Sequence, residues 1–268
     1  MIKVISLGAG VQSTTLLLMA ARGEFGEDYP RVAVFADTQW EPKKVYDHLD
    51  WLEKEAEKYG IKIIRASKGN LREDFLRAAE TGERASSIPC FVRNKNGKDG
   101  LLWRQCTRDY KINVVRRAIR EYLGYGPRER VKETVELWMG ISTDEIQRVK
   151  TSPIKWIKNV YPLIEKGMSR SDCIRWMKDH GYPEPPKSSC IGCPYHSDAY
   201  WLDMKLNDPE SWQDAVDFDR RIRRLPRIEG EVFLHRSLKP LEEVDFYSQH
   251  EQMELDLFDN DCEGMCGI

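Results

Sequence analysis

The sequence predicts an α/β fold: a parallel five-stranded sheet with helices on both faces, followed by a mainly helical C-terminal extension with a Cys-rich site. Three observations predict it. Short apolar runs alternate with helix-period segments through the N-terminal part of the chain. The first of these runs passes through Gly8-Ala9-Gly10-Val11-Gln12-Ser13-Thr14 straight into a second (Leu16, Leu17, Leu18, Met19), the order strand, glycine turn, helix N-terminus. Far along the chain, Cys190-Ile191-Gly192-Cys193 sets two thiols at metal-ligand spacing.

Lys3–Leu7 reads as the first strand and Gln12–Arg22 as the first helix. Arg31–Ala36 and Ile61–Arg65 read as strands two and three. They enclose a helix over Pro42–Tyr59 that carries Val45, Leu49, Leu52 and Ala56 on one face. Leu71–Ala79 is a further helix. Continuous apolar strands separated by helices imply a parallel sheet covered on both sides, with ligands outside the strands' carboxyl ends. Arg84 to Gly100 carries Pro89, Asn94, Asn96, Gly97 and Gly100 and reads as a loop or hairpin over the sheet. A helix is expected from Arg104 to Tyr122, then strands at Thr134–Met139 and Trp156–Tyr161. Ser169 caps a helix running to His180, which Pro183, Pro185 and Pro186 terminate. Two more helices are expected over Ala199–Lys205 and Asp208–Arg223. This divides the chain into a nucleotide-binding α/β domain, 1–165, and a helical region, 166–268, packed on it.

The bulk composition narrows the class. The chain has 268 residues, 42 Lys and Arg against 44 Asp and Glu, and a formal net charge of −2. That balance makes no global electrostatic case for nucleic acid, although local patches remain open. Mean hydropathy is −0.60, and no apolar run approaches the ~18 residues of a membrane helix. The chain enters a strand without a signal-peptide pattern, so a cytoplasmic location without membrane contact is expected. Seven cysteines then suit reduced thiols or metal ligands better than a disulfide framework.

A glycine turn opening a helix presents backbone N–H groups and the positive helix end to an anion, usually phosphate. Here GxGxxG spacing is absent, and no Lys-Ser/Thr pair closes the turn. The turn resembles the SGGxDS pyrophosphate-binding PP-loop of ATP pyrophosphatases. Gly8 stands at the first Ser, Ala9 and Gly10 at the glycines, Gln12 at the Asp and Ser13 at the last Ser. Phe35-Ala36-Asp37-Thr38-Gln39-Trp40-Glu41-Pro42 is similar to the "DTG…PET" segment of phosphoadenylyl-sulfate reductases, with Gln39 for Gly. Trp138-Met139-Gly140-Ile141-Ser142-Thr143-Asp144-Glu145, then Arg148, is similar to "G(I/L)R…ES..R", with Ser142 for Arg. Val160-Tyr161-Pro162-Leu163-Ile164 resembles the "PL" strand end. Over roughly residues 1–200 the chain thus resembles the PP-loop superfamily, nearest its phosphoadenylyl-sulfate reductase-like branch. That branch also holds sulfur-inserting enzymes acting on nucleic acids.

The resemblance implies a Rossmann-like (HUP/PP-loop) sheet and an adenine nucleotide, ATP, with room for an accompanying Mg²⁺. Gly8, Ala9, Gly10, Gln12, Ser13, Thr14, Asp37, Gly140 and Glu145 would bind the nucleotide. Ser13 and Arg148 would stabilise phosphate charge, a planar guanidinium matching tetrahedral oxyanions. Each has a plainer alternative: Asp37 as a cap of the next helix, Glu145 and Arg148 as an ordinary surface ion pair. Arg236 is a second anion candidate or a loop charge.

Taken alone, a CxxC is a redox pair, half a zinc site or half a cluster site. Trp103-Arg104-Gln105-Cys106-Thr107-Arg108-Asp109-Tyr110-Lys111 resembles the first cysteine segment, "CC…K", of cluster-bearing adenylyl-sulfate reductases, which makes Cys106 a third ligand beside Cys190 and Cys193. Cys266, Cys262 and Cys90 are the candidates for the fourth. A [4Fe–4S] cluster is the favoured occupant and zinc the alternative, because four thiolates also suit tetrahedral zinc. Cys262-Glu263-Gly264-Met265-Cys266 is similar to the family's ECGxH tail without its His, so Cys262 or Cys266 is also a candidate sulfur-accepting nucleophile. Cys173 reads as a buried apolar residue and His196 as a hydrogen-bonded loop histidine. The run Arg220, Arg221, Arg223, Arg224, Arg227 is a solvated helix face or a backbone-contacting patch, and some of the eight Trp are candidates for stacking on bases.

Three functions follow from the resemblance. The first is ATP-dependent adenylation of a substrate, plausibly nucleic acid, followed by sulfur transfer, with a sulfur-donor protein as a candidate partner. The second is adenylyl-sulfate or phosphoadenylyl-sulfate reduction. The third is a non-catalytic nucleotide-binding subunit of an oligomer.

Overall fold

Consecutive residues of the first strands face opposite sides of a central sheet, and both sides are covered. The computed structural model describes residues 1–95 and 97–246. β1 (Ile2–Leu7) leads through the glycine turn into α1 (Val11–Ala21), followed by β2 (Val32–Asp37), α2 (Lys43–Glu57), β3 (Lys62–Ser67) and α3 (Leu71–Thr81). A hairpin, β4 (Phe91–Asn94) and β5 (Asp99–Leu101), precedes a π-helical stretch Thr107–Ile112 that runs into α4 (Asn113–Tyr122). Next come β6 (Val135–Met139), a 3₁₀ turn Thr143–Arg148, β7 (Ile157–Val160) and the one-turn helix α5 (Pro162–Glu165). α6 (Arg170–Asp179), α7 (Asp198–Asn207), α8 (Pro209–Arg221), β8 (Gly230–Phe233) and a 3₁₀ turn Leu241–Glu243 follow.

The main sheet has five strands in the order β3-β2-β1-β6-β7, all parallel, as the alternation predicts. Ile5, Leu7, Ala33 and Phe35 pack on one face with α1, α2 and α6. Val4, Val32, Val34 and Leu137 pack on the other with α4. Burial on both sides is why these strands read as unbroken apolar runs rather than alternating ones. Strand order reverses at β1, which has β2 on one side and β6 on the other. The crevice at the carboxyl ends of β1 and β6 is therefore the expected ligand position.

α1 enters that crevice. All eleven of its residues are buried, because α2, α5 and α6 surround it while β1 supports it. A helix without a polar side is a central element, not a surface one.

A second core gathers α3, β4, α7, α8 and β8 around Trp40, Trp201 and Phe218. β5, β4 and β8 form an antiparallel sheet, Val92 opposite Val232. Residues 84–100 thus do contain a hairpin, but its third strand, β8, carries no sequence signal of its own. Buried Asp219 ties this region together, accepting from the N–H groups of Leu234 (2.8 Å) and Leu241 (3.1 Å) and pairing with Arg223. The two cores cut across a division at residue 165: Cys173 and Met177 of α6 belong to the first, and Leu71, Phe75 and Leu76 of α3 to the second. Among the described residues no helix is long and apolar enough to cross a membrane.

Candidate nucleotide and thiol site

Two residues of the motif segments hold left-handed backbone with a side chain. Ala9 has φ +60°, in the left-handed region. Gln39, which stands where the similar segment has Gly, has φ +57°. Both positions therefore demand a conformation that favours glycine, and both hold it with a side chain. Gly10 is the N-cap of α1, yet no side chain caps that end and no acid lies in its first turn. A buried helix end without a cap leaves N–H donors for a ligand.

Around this end the predicted residues converge. The Gly8 N–H donates to Ser13 Oγ (3.2 Å), Ser13 Oγ to the Gly10 carbonyl (3.3 Å), and Ser188 Oγ to the Gly8 carbonyl. Gly140 lies so close to α1 that a Cβ there would stand 2.7 Å from both Ser13 N and Ser13 Cα. Gln12 Nε2 donates weakly to Ser142 Oγ and Glu145 Oε2, both at 3.4 Å, and Gln12 Oε1 is buried without a partner. Glu145 is in turn paired with Arg148. The chain Gln12–Glu145–Arg148 thus spans from α1 to the 3₁₀ turn after β6. Two predicted binding residues turn elsewhere. Thr14 is fully buried, and its hydroxyl is hydrogen-bonded to His48 Nε2 (3.1 Å). Asp37 Oδ1 accepts from the Gln39 N–H (2.7 Å) and the Tyr46 hydroxyl (2.9 Å); it does not cap α2, whose N-cap is Pro42 with no side-chain cap.

A cavity of about 280 Å³ opens at the strand ends beside Gly8 and Ser188. Leu7, Phe35, Ala36, Leu137 and Met139 give it apolar walls suited to a planar base. Arg108, Lys111 and Arg116 line the same cavity. Arg116 is half-buried with no ion pair or hydrogen bond to the described residues, and burial holds its guanidinium below the ordinary arginine range. Its guanidinium lines the cavity, where a planar cation suits an oxyanion. Sequence reading did not single out Arg116. Its signal was the spacing Arg108, Ile112, Arg116, which puts all three on one side of a helix.

Next to this cavity lies a second, small pocket lined by Cys106, Cys190 and Cys193, with Arg104, Lys111, Trp40 and Tyr195. The three candidate ligands thus share one wall. The CxxC turn is held from several sides. The Cys193 N–H donates to the Cys190 carbonyl (3.1 Å), and the Ile191 N–H to the Trp40 carbonyl (2.8 Å). A Cβ on Gly192 would overlap the Trp40 indole, which donates to Asp214 (2.6 Å). His196 faces the Cys190 and Ile191 carbonyls through Nε2 (3.0 and 3.1 Å). Burial, then Lys187, pushes its pKa down to about 3, so the neutral ring acts as a donor to backbone and is not turned to the sulfurs.

Between the two cavities sits Glu41, its side chain 1% exposed. Its Oε1 accepts from Thr38 Oγ1 (3.1 Å) and Cys190 Sγ (3.5 Å) and faces Lys111 Nζ (3.8 Å), while Oε2 is buried without a partner. Burial and the Glu41 charge push the Cys190 thiol well up. Cys90 is fully buried behind the pocket and Cys173 is fully buried in α6. Cys262 and Cys266 lie outside the described residues. Among the described residues no cysteine is in a disulfide, and no three His, Cys, Asp or Glu side chains converge on a single-ion site. Arg236 is spent on Asp198 (2.9 Å). Arg220 and Arg221 are paired at the surface with Glu242 and Glu80, which favours the solvated-face reading for them, whereas Arg223 is mostly buried against Asp219 and Phe233.

No family model matches the chain and no curated protein does. Among solved structures, the chain is similar to the U34-tRNA thiolase NcsA from Methanococcus maripaludis with its [4Fe-4S] cluster. The match covers 94% of this chain and 81% of that one at 15% identity and a TM-score of 0.38. A likeness at that level settles nothing about substrate or cofactor, which have to come from the side chains themselves.

Proposed function

We propose that this chain is a PP-loop enzyme that binds ATP at the carboxyl ends of β1 and β6 and adenylates a substrate for sulfur transfer. One observation carries the reading: the nucleotide-sized cavity and the three-thiol pocket share Lys111 and meet at Glu41 and Cys190. A nucleotide on one side of that wall is within reach of sulfur on the other.

The apolar walls take the base, and the uncapped end of α1 with the Gly8–Gly10 turn takes the phosphates. Gln12, held between Ser142 and Glu145, and the cations Lys111 and Arg116 would stabilise charge on the phosphates as the α–β bond breaks. The substrate oxygen then carries AMP, pyrophosphate leaves, and sulfur displaces the AMP.

The donor set of Cys106, Cys190 and Cys193 fits a thiolate-held group. With Cys266 or Cys262 as fourth ligand, four thiolates around this pocket would suit a multi-iron group, with zinc as the alternative. When bound, a [4Fe–4S] group would supply a place to hold the sulfur. Glu41 would take the Cys190 proton as that thiol becomes a ligand. The sulfate-reducing alternative is less favoured: where the similar motif has Arg, Ser142 is fully buried and occupied by Gln12.

The test is calorimetric ATP binding and pyrophosphate release, with iron and acid-labile sulfide assayed in anaerobically purified protein. Arg116→Ala should weaken ATP binding about tenfold, the loss of one charged hydrogen bond. No ATP binding by the wild-type chain, or colourless protein carrying zinc without iron, would overturn the respective half of the reading.

A further inference from the structure

Trp103 is 83% exposed, far more than any other described large apolar side chain except Met1. Burying an indole is among the largest apolar gains available to a chain, so an indole left in water calls for a partner. Its backbone is not loose: the Trp103 carbonyl accepts from Ser87 Oγ (2.6 Å) and from the Gln105 N–H (3.0 Å). Exposed Leu101 lies two residues before it. Arg104 follows, its guanidinium stacked over Tyr195 at 5.1 Å. Arg104 and Tyr195 both line the thiol pocket, so the exposed Trp103 lies one residue from that lining. Arg104 and Lys111 line the thiol pocket, and Lys111, Arg108 and Arg116 line the nucleotide cavity, with Arg108 paired to Asp109 and Lys111 facing Glu41.

The geometry points to Trp103 and Arg104 as the landing platform for an unpaired nucleobase of a nucleic-acid substrate. The base stacks on the indole while its flanking phosphates meet Arg104 and the cations of the two cavities. Aromatic faces and guanidinium planes are what unpaired bases stack on, and the polyanionic backbone complements these cations. The inference rests on the proposed function for the thiol pocket that it places beside the base, and it names that reading's acceptor as single-stranded or looped nucleic acid.

Short fluorescently labelled single-stranded oligoribonucleotides and oligodeoxynucleotides, and a matched duplex, would be titrated by anisotropy against the full chain. The proteins are wild type, Trp103→Ala and Trp103→Tyr, each also tested for ATP binding. Trp103→Ala should bind single strands about tenfold more weakly, Trp103→Tyr should recover most of that loss, and ATP binding should not change. A preference for ribose or deoxyribose assigns the substrate to RNA or DNA. Equal affinity of wild type and Trp103→Ala, or no preference for single strands over duplex, overturns the platform. So does Trp103-dependent binding of an acidic peptide in place of the oligonucleotide. Failure of ATP binding in wild type with the Trp103 effect intact sinks the ATP-dependent reading and leaves the platform standing.

Discussion

The two turns that build this site solve opposite problems. The glycine turn at the head of α1 is open: its helix end has no side-chain cap and, among the described residues, Gln12 Oε1 has no partner and the nearby Arg116 forms no ion pair. The CxxC turn is closed: its backbone is satisfied by Trp40, by its own carbonyls and by His196, so what remains to offer is sulfur. On the proposed reading, the first keeps backbone N–H donors and a cation available for a ligand that arrives and leaves. The second turn's backbone hydrogen bonds hold the two cysteines in one arrangement. On the proposed reading, a recognition site and a ligating site differ in which atoms are left unsatisfied.

The contrast breaks most sharply at its two tight glycines. Gly140→Ala sets a methyl against the backbone of Ser13, which cannot rotate away, whereas Gly192→Ala sets one against the Trp40 ring. Gly140→Ala should cost about 3 kcal/mol in urea unfolding and abolish ATP binding, and Gly192→Ala about half of that. Equal costs would mean that the indole is as immovable as backbone. The open side also rests on a titrating group. Burial holds His48, beneath Thr14, at a pKa of about 4. A buried neutral histidine binds its proton more weakly than in the unfolded chain. Its stabilising share is therefore complete above about pH 6.5 and is lost as pH falls towards 4, about 3 kcal/mol in all. His48→Gln, which keeps a polar partner for Thr14, should flatten that part of the stability–pH curve; an unchanged slope would refute the assignment. The smallest effect belongs to the turn itself. Ala9→Gly should stabilise the apo chain by about 0.5–1 kcal/mol, by removing a left-handed alanine. A loss of stability would show that the Ala9 methyl, fully buried, contributes more than its strain costs.

The central sheet was legible because each strand is apolar on both faces and each helix has its own period, both local signals. β8 was not, because Gly230–Phe233 is short and has meaning only opposite β4, far back in the chain. The site was legible as letters at Gly8–Ser13, Gly140–Arg148 and the CxxC. Cys106 needed the resemblance as well, and its place beside Cys190 and Cys193 is visible only in three dimensions. Arg116 and Glu41 escaped because a charged residue in a helix or a loop looks solvated until its burial is known. Asp37 and Thr14 drew attention for their place in motifs, but their side-chain oxygens hold the scaffold.

The complete burial of α1 has a consequence for how such chains change over time. A helix with every side enclosed tolerates few new side chains, whereas a loop whose backbone performs the task constrains torsion more than side chain. Ala9 and Gln39 stand at such loop positions, each holding a left-handed torsion with a side chain. Relatives of this chain are therefore better sought by backbone torsion at the head of the first helix than by the spelling of its loop.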